Sequence, residues 1–315
     1  MRVRWIAPGA LVVAVVAWGL RDDRLPAAIA SWRTSACGDS ASIAWEPAAP
    51  RLGALFRVVV SGVPDESSLA GVVAGELLHF TRDGAGAASS LAPLPIDGPR
   101  EVAIVVRCSV ANRGDSLAVT FTAGTGEYTI ESLRVAPAFG RAPDSALLAR
   151  TRRESQRALA VAEQAHVTPR LWREPFVVPR AARVTSGFGH GREFNGSITS
   201  RHMGTDFAGA TGAPVVAANR GVVRIVDAFY YGGNVIYVDH GAGLTSAYLH
   251  LSEQLVTAGD TVERGQAIGR VGATGRVTGP HLHLIVRYGS VTVDPLSLFE
   301  VAGDSASRGA PGPDR

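Results

Sequence analysis

Residues 279–286, with the sequence GPHLHLIV, place two histidines one position apart in an alternating run. Side chains along a β-strand point alternately to opposite faces. His281 and His283 are therefore expected on one face, and Leu282, Leu284 and Val286 on the other. One face of this strand should pack in a core while the other presents imidazoles. Because isolated pairs with this spacing are commonly surface residues, the choice between metal ligands, catalysts and filler depends on other segments.

A second run, SAYLHLS at residues 246–252, shows a similar alternation. With a period of two, Leu249 and Leu251 are predicted to point inward and Tyr248 and His250 to the opposite side. A neighbouring strand can in this way bring a third imidazole to the same surface.

A third segment, RHMGTDF at residues 201–207, contains His202 and Asp206 four positions apart. In an extended strand their Cα atoms would lie about 13 Å apart, too far for both side chains to bind one metal. The chain must turn between them, and Gly204 is predicted to supply the turn at little steric cost. His202, Asp206 and one histidine of the 281/283 pair would then provide three protein ligands and leave the fourth tetrahedral position of zinc open, as in catalytic sites.

These motifs occur in order within residues 184–299, together with a segment in which glycines recur, GDTVERGQAIGRVGATGRVTGP. In this arrangement the chain resembles the lysostaphin/LytM-type zinc metalloendopeptidases, which are peptidoglycan hydrolases. Two departures from the family pattern stand beside the site: Leu249, where Gly or Ala is common, and Leu284-Ile285, where an aromatic-Glu pair is usual. Neither replaces a ligand, although the second would alter the floor of the groove.

The resemblance implies one Zn²⁺ per chain, bound by His202, Asp206 and His283. It also implies catalytic roles for the remaining two histidines. His281 would accept a proton from a water whose pKa zinc lowers to about 7 and pass it to the leaving amine. His250 would stabilise the oxyanion by hydrogen bonding. Three other residues, His190, His240 and Asn195, are weaker candidates for contact with substrate.

The fold class expected for the whole chain is mainly β. Residues 40–138 read as an immunoglobulin-like β sandwich, 139–178 as a helical linker capped by Asp144 or Ser145, and 179–300 as an antiparallel, barrel-like metallopeptidase domain of the duplicated hybrid motif type. The tail at 301–315 is expected to be disordered. Cys37 and Cys108 suit either one disulfide in an oxidising compartment or two unrelated buried thiols.

Residues 1–36 contain a basic start, an apolar run at 6–20 and small residues at 28 and 30, which is typical of an export signal. Two interpretations stay open: a signal peptide that is cleaved, or an uncleaved anchor in the inner membrane. Both place the remainder in the periplasm or cell envelope. The net charge of +3 would neutralise few phosphates, so no nucleic-acid partner is expected.

The function expected from the sequence is zinc-dependent hydrolysis of peptide cross-links in peptidoglycan. The alternative is a non-catalytic protein that binds the wall or activates an amidase, and filled ligand positions argue against it. A lipoyl-type or biotinyl-type carrier is excluded because the chain contains no lysine. A D-Ala to diaminopimelate cross-link or a glycine bridge are the two substrates considered. The sequence leaves open whether the sandwich gates the groove and whether a regulatory protein partner opens it.

Overall fold

The computed structural model describes residues 36–302, except positions 84, 85, 112, 127, 137, 138, 140–142, 195 and 197. The export or anchor segment, Asn195 and nearly all of the expected tail lie outside the described residues. Within the described part, neither helix is long and apolar enough to cross a membrane.

The N-terminal region contains two four-stranded antiparallel sheets around one core. The first sheet has the order β1 (Ser42–Glu46), β2 (Leu55–Ser61), β6 (Ala88–Pro93), β5 (Thr81–Arg82), and the second has the order β4 (Glu76–Leu78), β3 (Ser68–Val73), β7 (Glu101–Val110), β8 (Arg113–Thr122). Strand β7 alternates between exposed and buried residues along most of its length, which matches a strand with one face on a core. Phe56 and Val58 of the first sheet and Ile104 of the second belong to one buried cluster. The immunoglobulin-like type of this region stays a prediction.

Cys37 and Cys108 form a disulfide that ties the segment before β1 to strand β7. Both half-cystines are buried in the sandwich core. The first of the two interpretations of these cysteines is therefore the one that the structure adopts.

The C-terminal region is built mainly from short antiparallel strands. They are β10 (Val184–Ser186), β11 (Gly191–Phe194), β12 (Ile198–Arg201), β13 (Thr205–Ala208), β14 (Pro214–Val216), β15 (Gly221–Phe229), β16 (Gly233–Gly241), β17 (Leu244–Leu251), β18 (Glu253–Gln254), β19 (Thr261–Val262), β20 (Ala267–Arg270), β21 (His281–Tyr288) and β22 (Val291–Val293), followed by helix α2 (Pro295–Ala302). The main sheet has the order β10-β13-β21-β17-β16-β15-β19, with β22 paired to β21. Among the described strands this sheet is open, so the expected barrel-like closure is not present.

One face of the main sheet forms the larger core. Leu282, Leu284 and Val286 of β21 are fully buried there, as the alternation of the sequence predicts. Val215 of β14 and Ile268 of β20 belong to the same cluster, so the small sheet β14-β20-β18 packs on this face. The histidines of β21 consequently point to the opposite face.

Helix α1 (Ser145–Gln164) covers part of that opposite face. Its N-cap is Asp144, whose side chain accepts a 2.8 Å hydrogen bond from the backbone N–H of Leu147, as expected from the sequence. Ala158 and Val161 of the helix join a cluster with Tyr237 and Leu249 from the sheet. The helix contacts β15, β16 and β17, whereas the metal-ligand candidates lie on β13 and β21 and in the loop before β13.

The faces predicted for Tyr248 and Leu249 of β17 are wrong, whereas Leu251 is buried in the larger core as expected. Tyr248 and Leu251 both lie in the larger core, whereas Leu249 packs on the helix side. The reason is His250, whose φ of 64° lies in the left-handed region and produces an irregularity in the pairing of β17 with β16. Such a bulge switches the face to which the following side chains point.

Strand β9 (Ile130–Leu133) lies within the range expected for the sandwich, yet it pairs with the C-terminal region. It runs parallel to β11, and the sheet order is β12-β11-β9. The segment that leaves the sandwich is thus hydrogen-bonded to a strand beside the candidate site.

Candidate metal centre

Two of the candidate ligands are direct cross-strand neighbours. Strand β13 pairs antiparallel with β21, and Asp206 lies opposite His283 in the register. Side chains at paired positions share a face and have Cβ atoms about 4.5–5.5 Å apart. The register therefore selects His283, and not His281, as the partner of Asp206, because His281 lies opposite Ala208.

His202 reaches the same point from the loop before β13. Its Nε2 lies 3.0 Å from Oδ1 of Asp206 and 2.9 Å from Nδ1 of His283, and the Nδ1 of His283 lies 2.6 Å from Oδ1 of Asp206. All three side chains are buried. Their donor atoms form the group of described residues that could hold a metal ion.

Gly204 permits this approach for a different reason from the one expected. Its φ is not in the left-handed region, so the turn itself does not require glycine. A Cβ at this position would lie 2.5 Å from the carbonyl oxygen of Leu284 and 2.6 Å from the ring of His283. The absence of a side chain is needed because the loop passes directly over β21.

Hydrogen bonds outside the triad orient its members. Nδ1 of His202 donates to the carbonyl oxygen of Gly187 over 2.6 Å, which leaves Nε2 without a proton and directed at the site. The second oxygen of Asp206, Oδ2, accepts a 2.5 Å hydrogen bond from Arg192 of β11. Each of these two ligand side chains is thus held by a partner on its far side.

Electrostatics favour the unprotonated forms that bind metals. Burial by itself would raise the pKa of Asp206, but the interactions with the adjacent imidazoles of His283 and His202 outweigh it, so the pKa lies well below its usual range. Burial lowers the pKa of His283 to about 4, and attraction to Asp206 opposes this only in part. A carboxylate and neutral imidazoles are the states in which these residues act as ligands.

The two remaining histidines of the predicted site lie beside the triad. Nε2 of His281 is 3.6 Å from Oδ1 of Asp206, and the rings of His281 and His250 are 4.9 Å apart. Nδ1 of His281 donates to the carbonyl oxygen of Gly279, and Nδ1 of His250 donates to that of Thr274, each over 2.8 Å. In the neutral state both rings therefore present an Nε2 lone pair, which accepts a proton.

This tautomer bears on the role expected for His250. An oxyanion needs a hydrogen-bond donor, and with Nδ1 committed to Thr274 only a protonated ring offers N–H at Nε2. Burial, followed by the charges of His283 and His281, lowers the pKa of His250 well below its usual value. In the structure as it stands, His250 is equipped as an acceptor.

Two cavities meet at the triad. One of about 540 Å³ is lined by residues that include Asp206, His281, Glu131 and Arg276, and one of about 190 Å³ by residues that include His202, His250 and His283. Arg192, Phe194 and Arg276 line both. These three residues form a wall between the two cavities. Asp206 borders the larger cavity, and His202 and His283 border the smaller one.

Of the weaker candidates, His240 and His190 are not members of the triad. His240 is fully buried, with Nδ1 bonded to the carbonyl oxygen of Arg220 and Nε2 to the hydroxyl of Ser246, and burial lowers its pKa to about 4. It is a neutral core residue. His190 bonds to the hydroxyl of Thr129 over 2.8 Å at the junction with the N-terminal region.

Sequence patterns did not single out Arg192 and Glu131, although both lie beside the triad. Glu131, on β9, accepts hydrogen bonds from Ser186 Oγ at 3.0 Å and lies 3.5 Å from the Nε atom of Arg192. Ser186 Oγ in turn lies 3.1 Å from Nδ1 of His202. No local motif marks these residues, because their proximity depends on the pairing of β9 with β11.

A buried His, Asp, His triad with two further imidazoles beside it has the form of a mononuclear metal centre. Residues 200–295 match the model of peptidase family M23, so the chain contains a peptidase M23 domain. The matched range contains all five residues of the predicted site.

Curated relatives agree with this assignment. The chain is 42% identical over 125 residues to peptidoglycan DD-endopeptidase ShyB of Vibrio cholerae, covering 38% of this chain and 29% of that protein. It is 52% identical over 88 residues to peptidoglycan DD-endopeptidase ShyA of the same organism, covering 27% and 20%. The aligned segment thus spans less than a third of either relative.

A crystal structure of a peptidase M23 from Pseudomonas aeruginosa superposes with a TM-score of 0.61 and 24% sequence identity. It covers 81% of this chain and 96% of that one. At this identity the likeness concerns the fold alone, and it extends well beyond the M23 domain.

Proposed function

We propose that this protein is a zinc-dependent endopeptidase that hydrolyses peptide cross-links of peptidoglycan. The observation that carries the proposal is the convergence of Nε2 of His202, Oδ1 of Asp206 and Nδ1 of His283 within 2.6–3.0 Å of one another. Relatives named peptidoglycan DD-endopeptidases are 42% and 52% identical to this chain over 125 and 88 residues.

The donor set fits zinc. Two imidazole nitrogens and one carboxylate oxygen are ordinary zinc ligands, and three protein ligands leave a position for a further molecule. His202 and Asp206 are deeply buried, and each is hydrogen-bonded on the side away from the site, His202 to Gly187 and Asp206 to Arg192. Outer hydrogen bonds of this kind orient metal ligands. When bound, zinc supplies Lewis-acid polarisation of the scissile carbonyl and makes water a competent nucleophile at neutral pH.

The chain's own residues supply the proton transfers. His281, with Nδ1 fixed to Gly279 and Nε2 free, accepts the proton of the attacking water and then donates it to the leaving amine. His250 stands beside it, with Nδ1 fixed to Thr274. It stabilises negative charge on the carbonyl oxygen only in its protonated form.

The proposed substrate determines the location. Peptidoglycan lies outside the cytoplasm, so a hydrolase of its cross-links acts in the periplasm or elsewhere in the cell envelope. Residues 1–36 would direct export as a cleaved signal or hold the protein at the inner membrane as an anchor. Of the two cross-links considered, D-Ala to diaminopimelate agrees with the names of the DD-endopeptidase relatives.

The contact between β9 and β11 supports a regulatory role for the N-terminal region. Glu131 of β9 lines the larger cavity beside Asp206, so the segment leaving the sandwich borders the groove. Its displacement by a wall component or a regulatory protein partner would open that side. Activity and wall binding that are both unchanged after deletion of residues 1–138 would refute this role.

The function is tested by release of soluble muropeptides from purified sacculi by the full-length chain with added zinc. His202→Ala and treatment with a chelator should each abolish release. His79→Ala, which removes a histidine from the sandwich side, should retain it. Release that persists after loss of zinc would contradict the proposal, and the masses of the products would identify the cleaved bond.

A further inference from the structure

Arg276 lies on the wall between the two cavities, in the loop between β20 and β21. Its guanidinium is stacked over the ring of Phe194 at 4.1 Å and over that of Tyr231 at 4.3 Å, measured to the ring centroids. Its backbone N–H donates to the carbonyl oxygen of Tyr231 over 2.9 Å. Both the main chain and the side chain are therefore fixed.

The loop itself is tied to the sheet at a second point. The hydroxyl of Thr274 accepts a 2.9 Å hydrogen bond from the backbone of Asn234 and donates to the carbonyl oxygen of Leu251. Since the carbonyl of Thr274 also orients His250, the position of Arg276 is coupled to that of the catalytic candidates. A guanidinium held in this way loses little entropy when it binds a ligand.

Arg276 has no anionic partner among the described residues, in contrast to Arg192. Arg192 is bonded to Asp206 and lies near Glu131, so its charge is compensated within the protein. Among the described residues, the titratable groups that act on Arg276 are Tyr231, Tyr230 and Arg192, and none of them is a carboxylate. A partly buried guanidinium that is stacked on two rings and unpaired still has its in-plane N–H donors available.

A planar, fixed guanidinium matches a carboxylate, to which it can donate two parallel hydrogen bonds. In a D-Ala to diaminopimelate cross-link, the amine-side residue keeps a free carboxylate on the carbon that bears the scissile nitrogen, because only its other amino-acid centre is part of the stem peptide. Such a carboxylate lies close to the bond that the metal centre cleaves. Arg276 lines both cavities that open on the triad, so a substrate in either one passes beside it.

We propose that Arg276 forms a subsite for the substrate carboxylate next to the scissile bond, and that it selects cross-links with a free acid on the amine side. This inference rests on the proposed endopeptidase function and names the substrate group that the site recognises. Phe194 and Tyr231 act as positioning residues for the guanidinium.

The test compares two synthetic cross-linked peptides that differ only in this group, as free acid or as amide. Wild-type protein with zinc should cleave the acid with a kcat/KM about 10- to 100-fold higher, the range expected for a hydrogen-bonded charge pair. Arg276→Gln should cleave both peptides at about the rate at which wild type cleaves the amide. Arg276→Lys keeps the positive charge but cannot donate two parallel hydrogen bonds, so it should retain only part of the preference for the free acid.

Arg270→Gln serves as the matched control, because Arg270 lies on β20, is half-exposed and lines neither cavity. It should keep the wild-type preference. Equal loss for both peptides in Arg276→Gln would overturn the subsite, as would a wild-type enzyme that does not distinguish acid from amide.

Binding of the amine-side product separates failure of this inference from failure of the proposed function. If wild type cleaves neither peptide, calorimetric titration of the zinc-loaded protein with the free-acid and amidated products still reports on the subsite. A preference for the acid that disappears in Arg276→Gln supports the subsite although the endopeptidase function fails. No preference in this titration overturns it.

Discussion

Nε2 of His202 lies 2.9 Å from Nδ1 of His283, although 81 positions separate them in the chain. The contact depends on the pairing of β13 with β21 and on a loop that passes over β21 without a side chain at Gly204. The rings of His250 and His281 are also close, but Nδ1 of each ring donates to a backbone carbonyl oxygen. This arrangement agrees with the proposed roles of the triad as metal ligands and of His281 as the proton carrier.

Replacement of the two histidines of β21 should separate metal binding from turnover. His283→Ala removes a donor atom from the triad, so zinc content and activity should both be lost. His281→Ala leaves the triad complete, so zinc content should stay near one per chain while activity falls by about 10²–10⁴-fold, the usual contribution of a general acid or base. Zinc is measured by mass spectrometry of the purified proteins. Equal depletion of zinc in both variants would contradict the assignment.

Arg192→Gln should weaken metal binding without removing a ligand. Arg192 donates to Oδ2 of Asp206 and so orients the carboxylate whose other oxygen faces the histidines. Loss of such an outer partner typically lowers metal affinity about 10- to 100-fold. Competition with a zinc-binding dye measures the change, and Arg201→Gln, at an exposed arginine bonded to Asp97, is the control. Unchanged affinity in Arg192→Gln would show that Asp206 is oriented by other contacts.

Gly204→Ala should destabilise the protein or displace His283. The added Cβ would meet backbone at 2.5 Å, which forces the loop away from β21. Overpacking of this kind costs at least about 1–3 kcal/mol. Urea denaturation and zinc content report the two consequences. Gly279→Ala, where the Cβ meets no atom within 4 Å, is expected to behave as wild type; a Gly204→Ala protein that does the same would refute the close approach.

Removal of the disulfide should lower the stability of the sandwich. Cys37 and Cys108 close a loop with a sequence separation of 71. Loss of a native disulfide from a small exported domain costs roughly 2–5 kcal/mol. The free energy of unfolding of a Cys37→Ser, Cys108→Ser double variant, from urea titration followed by circular dichroism, should fall by that amount. The same titration of wild type under reducing conditions should approach the variant, and coincident curves for oxidised and reduced wild type would contradict the expectation.

Asp294 predicts a pH dependence of stability. Burial raises its pKa from 3.8 to about 6, although its side chain accepts a hydrogen bond from Leu296 at the start of α2. Between about pH 4 and pH 6 the folded state binds more protons than the unfolded state, so the free energy of unfolding falls as the pH rises through this window. The cost at neutral pH amounts to about 2–3 kcal/mol.

Asp294→Asn keeps an acceptor for Leu296 and removes the buried charge. The variant should therefore be more stable than wild type at pH 7 and lose this advantage below about pH 4, as measured by urea denaturation at each pH. Asp65→Asn, at a largely exposed carboxylate, should change stability by no more than about 0.5 kcal/mol at either pH. An advantage of Asp294→Asn that is the same at both values would show that the charge is not its cause.

Much of the C-terminal region could be predicted because its signals are local. The period of two in β21 separates the core-facing leucines from the histidines, and the structure confirms that division. The capping of α1 by Asp144 is likewise a property of neighbouring residues. The alternation of β17 could not be extended past Leu249, since the left-handed conformation of His250 depends on bonds to the turn at Gly232 and to the loop at Thr274.

By itself, the sequence determined the mainly β character of the chain, the order of its motifs and the five residues of the candidate centre. Alternation, turn residues and metal-ligand residue types are properties of short stretches of chain. They can therefore be recognised without knowledge of distant contacts. Only the tertiary structure decided that β13 pairs with β21 in the register that sets Asp206 opposite His283. It alone also brought Glu131 beside Arg192 and set Arg276 between two aromatic rings. These relationships join residues far apart in the chain, and they form only when the packing of whole sheets brings their backbones together.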